Sequence, residues 1–230
     1  MANRGMNHSL QSLKTDIAKI NQSGIDKYNP HNSRLMEEYV DAQAMENDYD
    51  LEANLLLLKL YQLNPVGYAG PRASFVTKIL LKALMQLPKN DFQICKALME
   101  PELMRVIKIQ DVMRLATILE TCRFEFFWEE LPKCRDTLSG VEGFDAAIQN
   151  YICSVVERSN QSIYERQLNA YLGKLPSDRF RRLVEERGWK FAGNGVIFIR
   201  DQTSNVKPRK IVETIDFADV ATILSAAARS

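Results

Sequence analysis

The segment 51–63 constrains the fold more than any other part of the sequence. Its apolar residues wrap most of the circumference of a helix, and Asp50 stands before it as an N-cap. A helix that is apolar nearly all round has to be covered on more than one side. The segment therefore predicts an inner helix of a layered helical stack, in which Leu55, Leu58 and Tyr61 are deeply buried.

Apolar residues recur at helical spacing along most of the remaining chain up to about residue 156. Proline supplies several breaks between these segments, at Pro88, Pro101 and Pro132. Short helices joined by tight turns, without strand signals, are typical of antiparallel pairs stacked as a HEAT-like or TPR-like solenoid. The helical segments of this part lie near residues 10–20, 35–40, 75–87, 91–99, 104–121, 124–131 and 144–156, with an exposed loop at 67–74.

The periodicity changes after about residue 156. Two short helices come first, and the second begins at Ser177 and ends before Gly188. Two apolar runs then flank Gly193-Asn194-Gly195, which predicts a β-hairpin with a glycine-rich turn. A helix, a turn, a second helix and a hairpin within about 50 residues are the layout of a winged helix. The predicted segments are helices at 163–172 and 177–187, strands at 189–192 and 196–199, and a third short strand at Ile211 and Val212.

A last predicted helix begins near residue 216 and has one apolar side. Pro208 and the basic residues around it separate this helix from the hairpin. Such a helix lies in a groove of a partner, joins a bundle of partner helices, or packs back on its own domain. Both a partner role and internal packing stay open. The candidate partner-binding residues are Phe217, Val220, Ile223, Leu224 and Ala227.

Together the segments predict a mainly α fold, with a helical-repeat stack, a small α+β winged-helix domain and a C-terminal helix. The 230 residues suffice for one large domain or two small ones, and for a sizeable core. The expected division is an N-terminal leader with the first helix at 1–24, a helical-repeat domain at 25–157, a winged-helix domain at 158–214 and the C-terminal helix at 215–230.

Residues suited to catalysis are scarce. His8 and His31 are the only histidines, and both lie in polar N-terminal sequence, where rigid positioning and exclusion of water are not expected. Nucleophile-elbow, phosphate-binding and dinucleotide-binding motifs are absent. Acidic neighbours such as Glu129 and Glu130 do not face each other on a helix. We therefore expect no enzyme activity, no catalytic residue, no cofactor, no metal and no small-molecule substrate.

The composition indicates a cytoplasmic location, with nuclear presence as a further option. The first ten residues lack the apolar core of a signal peptide. The apolar runs fall far short of the roughly 18 residues that would cross a membrane. The cysteines lie in helical segments, without the spacing of a metal site or a disulfide framework. We expect buried, reduced thiols at Cys95, Cys122, Cys134 and Cys153.

Nucleic-acid binding is the main alternative function. A winged helix can place its second helix in a major groove, and here that helix is rich in arginine. The competing interpretation is local pairing of Arg181 with Glu185 and of Arg182 with Glu186 at i,i+4 spacing. A formal net charge of +1 gives the whole chain little attraction for nucleic acid. The candidates for a weak RNA contact are Arg179, Arg182, Lys207, Arg209 and Lys210.

Four aromatic rings stand within five residues at 124–128. They cannot all face one core, so part of the set is expected to contact another helix or another chain. Core packing is the simpler interpretation for the others. The four residues are Phe124, Phe126, Phe127 and Trp128.

Several segments resemble one family of translation factors. In the first half these are Asp26-Lys27-Tyr28-Asn29-Pro30, Asp50-Leu51-Glu52-Ala53-Asn54-Leu55, Leu58-Lys59-Leu60-Tyr61-Gln62 with Asn64-Pro65, and Ile79-Leu80-Leu81-Lys82-Ala83-Leu84. In the second half they are Leu119-Glu120-Thr121-Cys122, Phe127-Trp128, Gly143-Phe144, Gly188-Trp189, Ile197-Phe198-Ile199, Lys207-Pro208, Ile211-Val212-Glu213 and Ile215-Asp216-Phe217. In their order and spacing, these segments resemble the k subunits of eukaryotic translation initiation factor three. The chain departs from the family pattern at 1–24, 67–74 and 100–114.

The resemblance implies a PCI-type architecture, in which a helical-repeat domain precedes a winged helix, as in similar subunits of the proteasome lid and the signalosome. It implies a non-catalytic scaffold subunit of a factor that assembles the initiation complex on the small ribosomal subunit, which this subunit contacts indirectly. The l and e subunits of the same factor are the implied partners, held together in part by their C-terminal helices. A subunit of a related PCI complex stays an alternative, as does a winged-helix module that binds nucleic acid.

Overall fold

The computed structural model describes residues 3–64, 69–201, 220–221 and 227–228 of the chain. In these ranges the fold is mainly α, as predicted, with a small antiparallel sheet. The helices are α1 (Asn3–Gln22), α2 (Ser33–Met45), α3 (Leu51–Leu63), α4 (Ala69–Leu84), α5 (Asp91–Ala97), α6 (Ile107–Glu120), α7 (Phe124–Glu130), α8 (Phe144–Ser159), α9 (Glu165–Tyr171) and α10 (Ser177–Glu186). The strands are β1 (Ser162–Tyr164), β2 (Lys190–Gly193) and β3 (Val196–Phe198), and 3-10 helices occupy Asp26–Tyr28, Pro30–Asn32, Leu103–Arg105 and Leu131–Leu138.

Helix α3 is the inner helix that its sequence predicts, with two local differences. Leu58 and Tyr61 are buried, as expected. Leu55 is only half-buried, because it lines an open groove of about 550 Å³ between α1 and α3. Leu63, in the last turn, is 62% exposed. The apolar surface of α3 is therefore covered on most sides but not on all.

Helix α4 is the more central helix of the stack. It packs against α2, α5 and α6, and its Ile79, Leu80 and Leu81 have no exposed surface. The prediction of an exposed loop over 67–74 is wrong for residues 69–74, which form the first turns of α4. Pro71 is compatible with the first turn of a helix, and Ala73 is buried in the core. The core contacts of this helix therefore override the local turn signal of glycine, proline and serine.

The loop between α2 and α3 (residues 46–50) ties several helices together. Asp50 caps α3 as predicted, because its Oδ1 accepts a hydrogen bond from the backbone N–H of Ala53 at 3.1 Å. The neighbouring side chains of the loop form hydrogen bonds with other helices. Asn47 Oδ1 accepts from Lys82 Nζ of α4 at 2.8 Å, and Asp48 Oδ2 accepts from Lys14 Nζ of α1 at 3.1 Å. Tyr49 Oη donates to Asp91 Oδ2 of α5 at 3.0 Å. This loop fixes the register of the first helices.

The sheet has the strand order β1-β3-β2, with both pairs antiparallel. The predicted hairpin is confirmed as β2 and β3. The helix predicted over 163–172 is wrong at its start, because Ile163 belongs to β1 and pairs with Ile197 of β3. Both isoleucines are buried, so this pairing closes the core beneath the sheet. The strand predicted at Ile211 and Val212 lies outside the described residues.

Three of the four thiols are buried, as expected, at Cys95, Cys134 and Cys153. Cys122 is exposed, which corrects the prediction for that residue. It follows α6 in a turn and has a left-handed φ of 55°, so the chain leaves the helix at this point. All four cysteines are free thiols.

One apolar core runs from Ile17 of α1 to Ile199 just after β3. We call α1–α8 the helical stack, and residues 162–199 the wing region. The wing region has a winged-helix-like layout, in which α9 and α10 precede the hairpin and β1 completes the sheet. The two regions share this core, so the contacts between them decide how the molecule behaves as a unit.

Candidate functional site

The predicted RNA-contact arginines of α10 face the helical stack. Arg179 Nη2 donates to Gln149 Oε1 of α8 at 3.2 Å. Arg182 Nε donates to the backbone carbonyl of Asp178 at 3.4 Å. Together with Gln149, the two arginines line a groove of about 390 Å³ between α8 and α10. The helix that would read a major groove is therefore partly engaged by its own chain.

The local ion pairs expected on α10 are not formed. In the range 177–187, which the structure describes throughout, no ion pair joins Arg181 to Glu185 or Arg182 to Glu186. Arg187, just beyond the helix, reaches α8 instead. Its Nη2 donates to Asn150 Oδ1 at 2.7 Å. The other predicted RNA contacts, Lys207, Arg209 and Lys210, lie outside the described residues.

The predicted partner helix is described at only a few positions. Val220 is helical and 37% exposed, and Ala227 is also helical. Phe217, Ile223 and Leu224 lie outside the described residues. The partner-binding role of this helix therefore stays a prediction.

The most constrained arrangement lies where the helical stack meets the wing region, and we call it the junction. The indole Nε1 of Trp128 in α7 donates to the backbone carbonyl of Tyr171 at 2.7 Å. Gln149 Nε2 in α8 donates to the carbonyl of Leu172 at 3.2 Å. The last carbonyls of a helix lack partners within that helix. Two side chains of the stack therefore satisfy the end of α9.

Gln149 serves both α9 and α10. Its side-chain nitrogen donates to the Leu172 carbonyl, while its side-chain oxygen accepts from Arg179. The residue is only 7% exposed. A buried amide that forms both kinds of hydrogen bond avoids the desolvation cost of an unpaired polar group. One glutamine thus holds both helices of the wing region against α8.

Gly173 allows the close approach of the two regions. It follows α9 with a φ of +84°, a left-handed backbone conformation that is strained for any residue with a Cβ. A Cβ at this position would lie 2.8 Å from Cδ2 of Trp128. Glycine is therefore required both by the turn of the backbone and by the indole ring packed on it.

The aromatic cluster at 124–128 divides its rings as the sequence suggests. Phe124 and Phe127 are buried, and the Phe124 ring meets Tyr151 and Tyr171 edge to face at centroid distances of 6.2 and 5.7 Å. Trp128 is half-buried at the junction. The part of the cluster expected to contact another helix thus contacts the wing region of the same chain.

Residues 72–210 match the CSN8/PSMD8/EIF3K family. The chain is also similar along nearly its whole length to proteins named eukaryotic translation initiation factor 3 subunit K. That of Xenopus tropicalis is 39% identical over 217 residues, which cover 94% of this chain and 98% of that protein. The Homo sapiens protein is 39% identical over 215 residues, with 94% and 97% covered. The Nematostella vectensis protein is 41% identical over 204 residues, with 89% and 93% covered.

The chain belongs to the CSN8/PSMD8/EIF3K family. The matched range holds every residue of the junction, from Trp128 to Arg187. In this member of the family, four hydrogen bonds join α7 and α8 to the wing region. Two run from stack side chains to backbone carbonyls at the end of α9, and two join side chains of α8 to Arg179 and Arg187. These hydrogen bonds hold the helical stack and the wing region together.

The structure gives this family member few groups with unusual reactivity. Burial raises the pKa of the Cys95 thiol to about 12 and that of Cys153 to about 11, so both stay protonated. Burial lowers the pKa of Lys82 to about 8. Across the described ranges, no group of three or more His, Cys, Asp or Glu side chains could hold a metal ion. No helix among the described residues is long and apolar enough to cross a membrane.

Sequence reasoning missed the junction because each of its residues has a sufficient local explanation. Gly173 is explained as a helix end and Trp128 as one ring of an aromatic run. Gln149 is an ordinary polar residue of a helix. The available signal was the excess of rings at 124–128, which predicted a contact beyond the local core without identifying its partner.

Proposed function

We propose that the chain is a non-catalytic scaffold subunit of eukaryotic translation initiation factor 3. In this role it contributes to assembly of the initiation complex on the small ribosomal subunit. The observation that carries the proposal is the end-to-end similarity to proteins named subunit K, at 39% identity over 94% of this chain.

A scaffold role is supported by the core that the two regions share. The core is continuous from α1 to β3, and the junction joins the two regions. A scaffold has to keep its surfaces at fixed distances, and a shared core provides that. We also propose the division into a leader at 1–24, a helical-repeat domain at 25–157, a winged-helix domain at 158–214 and a C-terminal helix at 215–230.

Other subunits of the same factor are the proposed partners, and we put the l and e subunits first among them. We propose a cytoplasmic location, because translation initiation takes place there. The experiment is purification of the tagged chain from a mild cell extract, followed by native mass measurement and identification of bound proteins. Subunits of initiation factor 3 in a species far larger than the 26.3 kDa chain support the proposal. A free monomer, or subunits of the proteasome lid or the signalosome, would contradict it.

The C-terminal helix is the proposed partner element. Val220, one of its predicted apolar residues, is helical and 37% exposed. We expect Leu224→Asp, on the predicted apolar side, to abolish co-purification while the melting temperature is unchanged. Thr222→Asp, which helical spacing predicts on the opposite side, is the matched control and should still co-purify. Truncation after Thr214 should act like Leu224→Asp, and unchanged co-purification of both variants would refute the partner role.

A further inference from the structure

The sheet of the wing region has one face that packs on the core and one that is open. Side chains alternate between the faces of a strand. Ile163 and Ile197 are buried on the inner face. On the opposite face, Tyr164 is 66% exposed, and Val196 and Phe198 are half-buried. The open face therefore has one exposed aromatic ring, Tyr164, and one half-buried ring, Phe198.

The two rings are neighbours across the sheet. Tyr164 of β1 is the register partner of Val196, and Phe198 is two residues further along β3. Residues in such diagonal positions lie about 7–8 Å apart, within reach of each other's side chains. Aromatic side chains on the open face of an antiparallel sheet are the arrangement on which unpaired RNA bases stack. Such stacking tolerates any base, because every base has a flat π face.

The charges of the open face favour a polyanion. Lys190 of β2 is the register partner of Phe198, and Arg200 continues the alternation beyond β3. Both are exposed, and among the described residues neither takes part in an ion pair. The strand positions on this face hold no carboxylate, but Glu125 and Glu165 line the pocket beside Tyr164 together with Arg166 and Lys174.

A protein that covered this face would have to supply carboxylates at the positions of both cations, because burying them unpaired costs free energy. A phosphate backbone supplies those charges and gains from the release of its counterions. We therefore propose that the open face binds single-stranded RNA. Tyr164 and Phe198 stack on successive bases, and Lys190 and Arg200 contact phosphates. This site is separate from the arginines of α10 and does not depend on the proposed scaffold role.

The test is fluorescence anisotropy of the full-length chain with a labelled oligouridylate of about 12 nucleotides. Tyr164→Thr keeps a strand-forming residue and removes the ring, so we expect binding to weaken about 5- to 150-fold. Tyr164→Trp keeps a ring and should bind as the parent does. Phe191→Thr is the matched control, because Phe191 is a 47% exposed ring of the same sheet whose register partner is the buried Ile197.

The charge contribution has its own measurement. Lys190→Gln should reduce the magnitude of the slope of log affinity against log salt concentration by about 1, the value expected for the loss of one phosphate contact. Lys96→Gln, an exposed lysine of α5, is the control and should leave the slope unchanged. A duplex RNA of the same length should bind more weakly than the single strand, because its bases are not free to stack.

Several outcomes would overturn the proposal. They are the absence of measurable binding, equal binding by parent and Tyr164→Thr, equal losses in Tyr164→Thr and Phe191→Thr, and equal binding of duplex and single strand. Loss of co-purifying proteins in Tyr164→Thr, with RNA binding intact, would show that the face docks a protein. None of these measurements depends on the native mass of the complex that contains the parent chain. The RNA-binding proposal and the scaffold proposal can therefore fail independently of each other.

Discussion

The helical stack and the wing region differ in how much apolar surface each can bury by itself. In the stack, α3 and α4 contribute a layer of leucines with almost no exposed surface, surrounded by other helices. Within the described residues, the wing region has only short elements, namely α9, α10 and a three-stranded sheet. Its buried side chains, such as Leu168 and Leu172, join the core of the stack. The comparison indicates a one-way dependence, in which the wing region needs the stack and the stack does not need the wing region.

The largest expected effect lies in the stack. Leu58 is 1% exposed, so Leu58→Ala should reduce the free energy of unfolding by about 2–5 kcal/mol through loss of burial and a residual cavity. Both regions should become less stable, because the wing region rests on the stack. Urea denaturation followed by circular dichroism measures the change. Leu63→Ala, in the same helix but 62% exposed, is the control and should cost no more than about 0.5 kcal/mol.

The next effect concerns the junction. Gly173→Ala places a Cβ 2.8 Å from Trp128 at a left-handed φ, and we expect a loss of about 2–3 kcal/mol from strain and displacement of the indole. Gly188→Ala has a similar φ of +70° and nothing within 4 Å of the new Cβ, so it measures the backbone strain alone. Both tryptophans of the chain, Trp128 and Trp189, report on the junction and the wing region. Equal shifts of the fluorescence transition in the two variants would show that the indole contact contributes nothing.

A smaller effect is a pH dependence inside the stack. Burial lowers the pKa of Lys82 from 10.5 to about 8, while the nearby Asp48 opposes the shift. Between these values Lys82 binds more protons in the unfolded chain than in the folded chain, so stability should rise by about 0.5 kcal/mol between pH 7 and 8.5. Above that range the raised pKa values of Cys95 and Cys153 oppose the rise, because their thiols lose protons near pH 9 only in the unfolded chain. Burial raises the pKa of tyrosines such as Tyr61, which lowers stability only above their ordinary value near 10.

The pH prediction is checked by melting temperatures between pH 7 and 8.5, an interval that includes the Lys82 pKa of about 8 and stays below the ordinary thiol pKa. Lys82→Met should abolish the rise, because folding then no longer releases a proton from residue 82. Lys59→Met, at an exposed position of α3, should keep the rise of the parent. The slope is the readout, because Lys82→Met also leaves Asn47 Oδ1 without its hydrogen-bond donor. An identical slope in the parent and Lys82→Met would contradict the expected pKa.

The smallest effect lies at the edge of the junction. Arg187 donates to Asn150 at 2.7 Å and lies 3.5 Å from Glu157, in a partly exposed position. Such pairs contribute up to about 1 kcal/mol, so Arg187→Gln should lower the wing-region transition slightly and leave the stack unchanged. Arg181→Gln, on the exposed side of α10, should change neither transition. A larger loss from Arg181→Gln than from Arg187→Gln would refute this assignment.

The stack could be predicted from sequence because its signals are local. For example, α3 is determined by its N-cap at Asp50 and by the helical periodicity of the residues that follow directly. The strand β1 could not be predicted, because Ser162–Tyr164 is extended only through pairing with β3, about 34 residues later. The helix over 69–74 was missed for the same reason, since core contacts outweigh its turn-forming residues.

The candidate sites divide in the same way. The arginines of α10 were found by residue type, but their position against α8 depends on side chains about 30 residues away, such as Gln149. Trp128 and Gly173 are far apart in sequence, and neither indicates the other. The open face of the sheet escaped notice because Tyr164 was assigned to a helix. Once it is placed in β1, the register puts it on the same face of the sheet as Phe198, in a diagonal position.

The central claim is that the wing region depends on the stack through the junction, while the stack is stable without it. Native-state hydrogen exchange read by mass spectrometry tests this directly, by comparing Gly173→Ala with the parent. We expect protection to fall throughout residues 162–199 while peptides of α3 and α4 exchange as in the parent. An equal fall in both regions would show a single cooperative unit. Unchanged protection of the wing region would show that it is stable by itself, and either result would contradict the account.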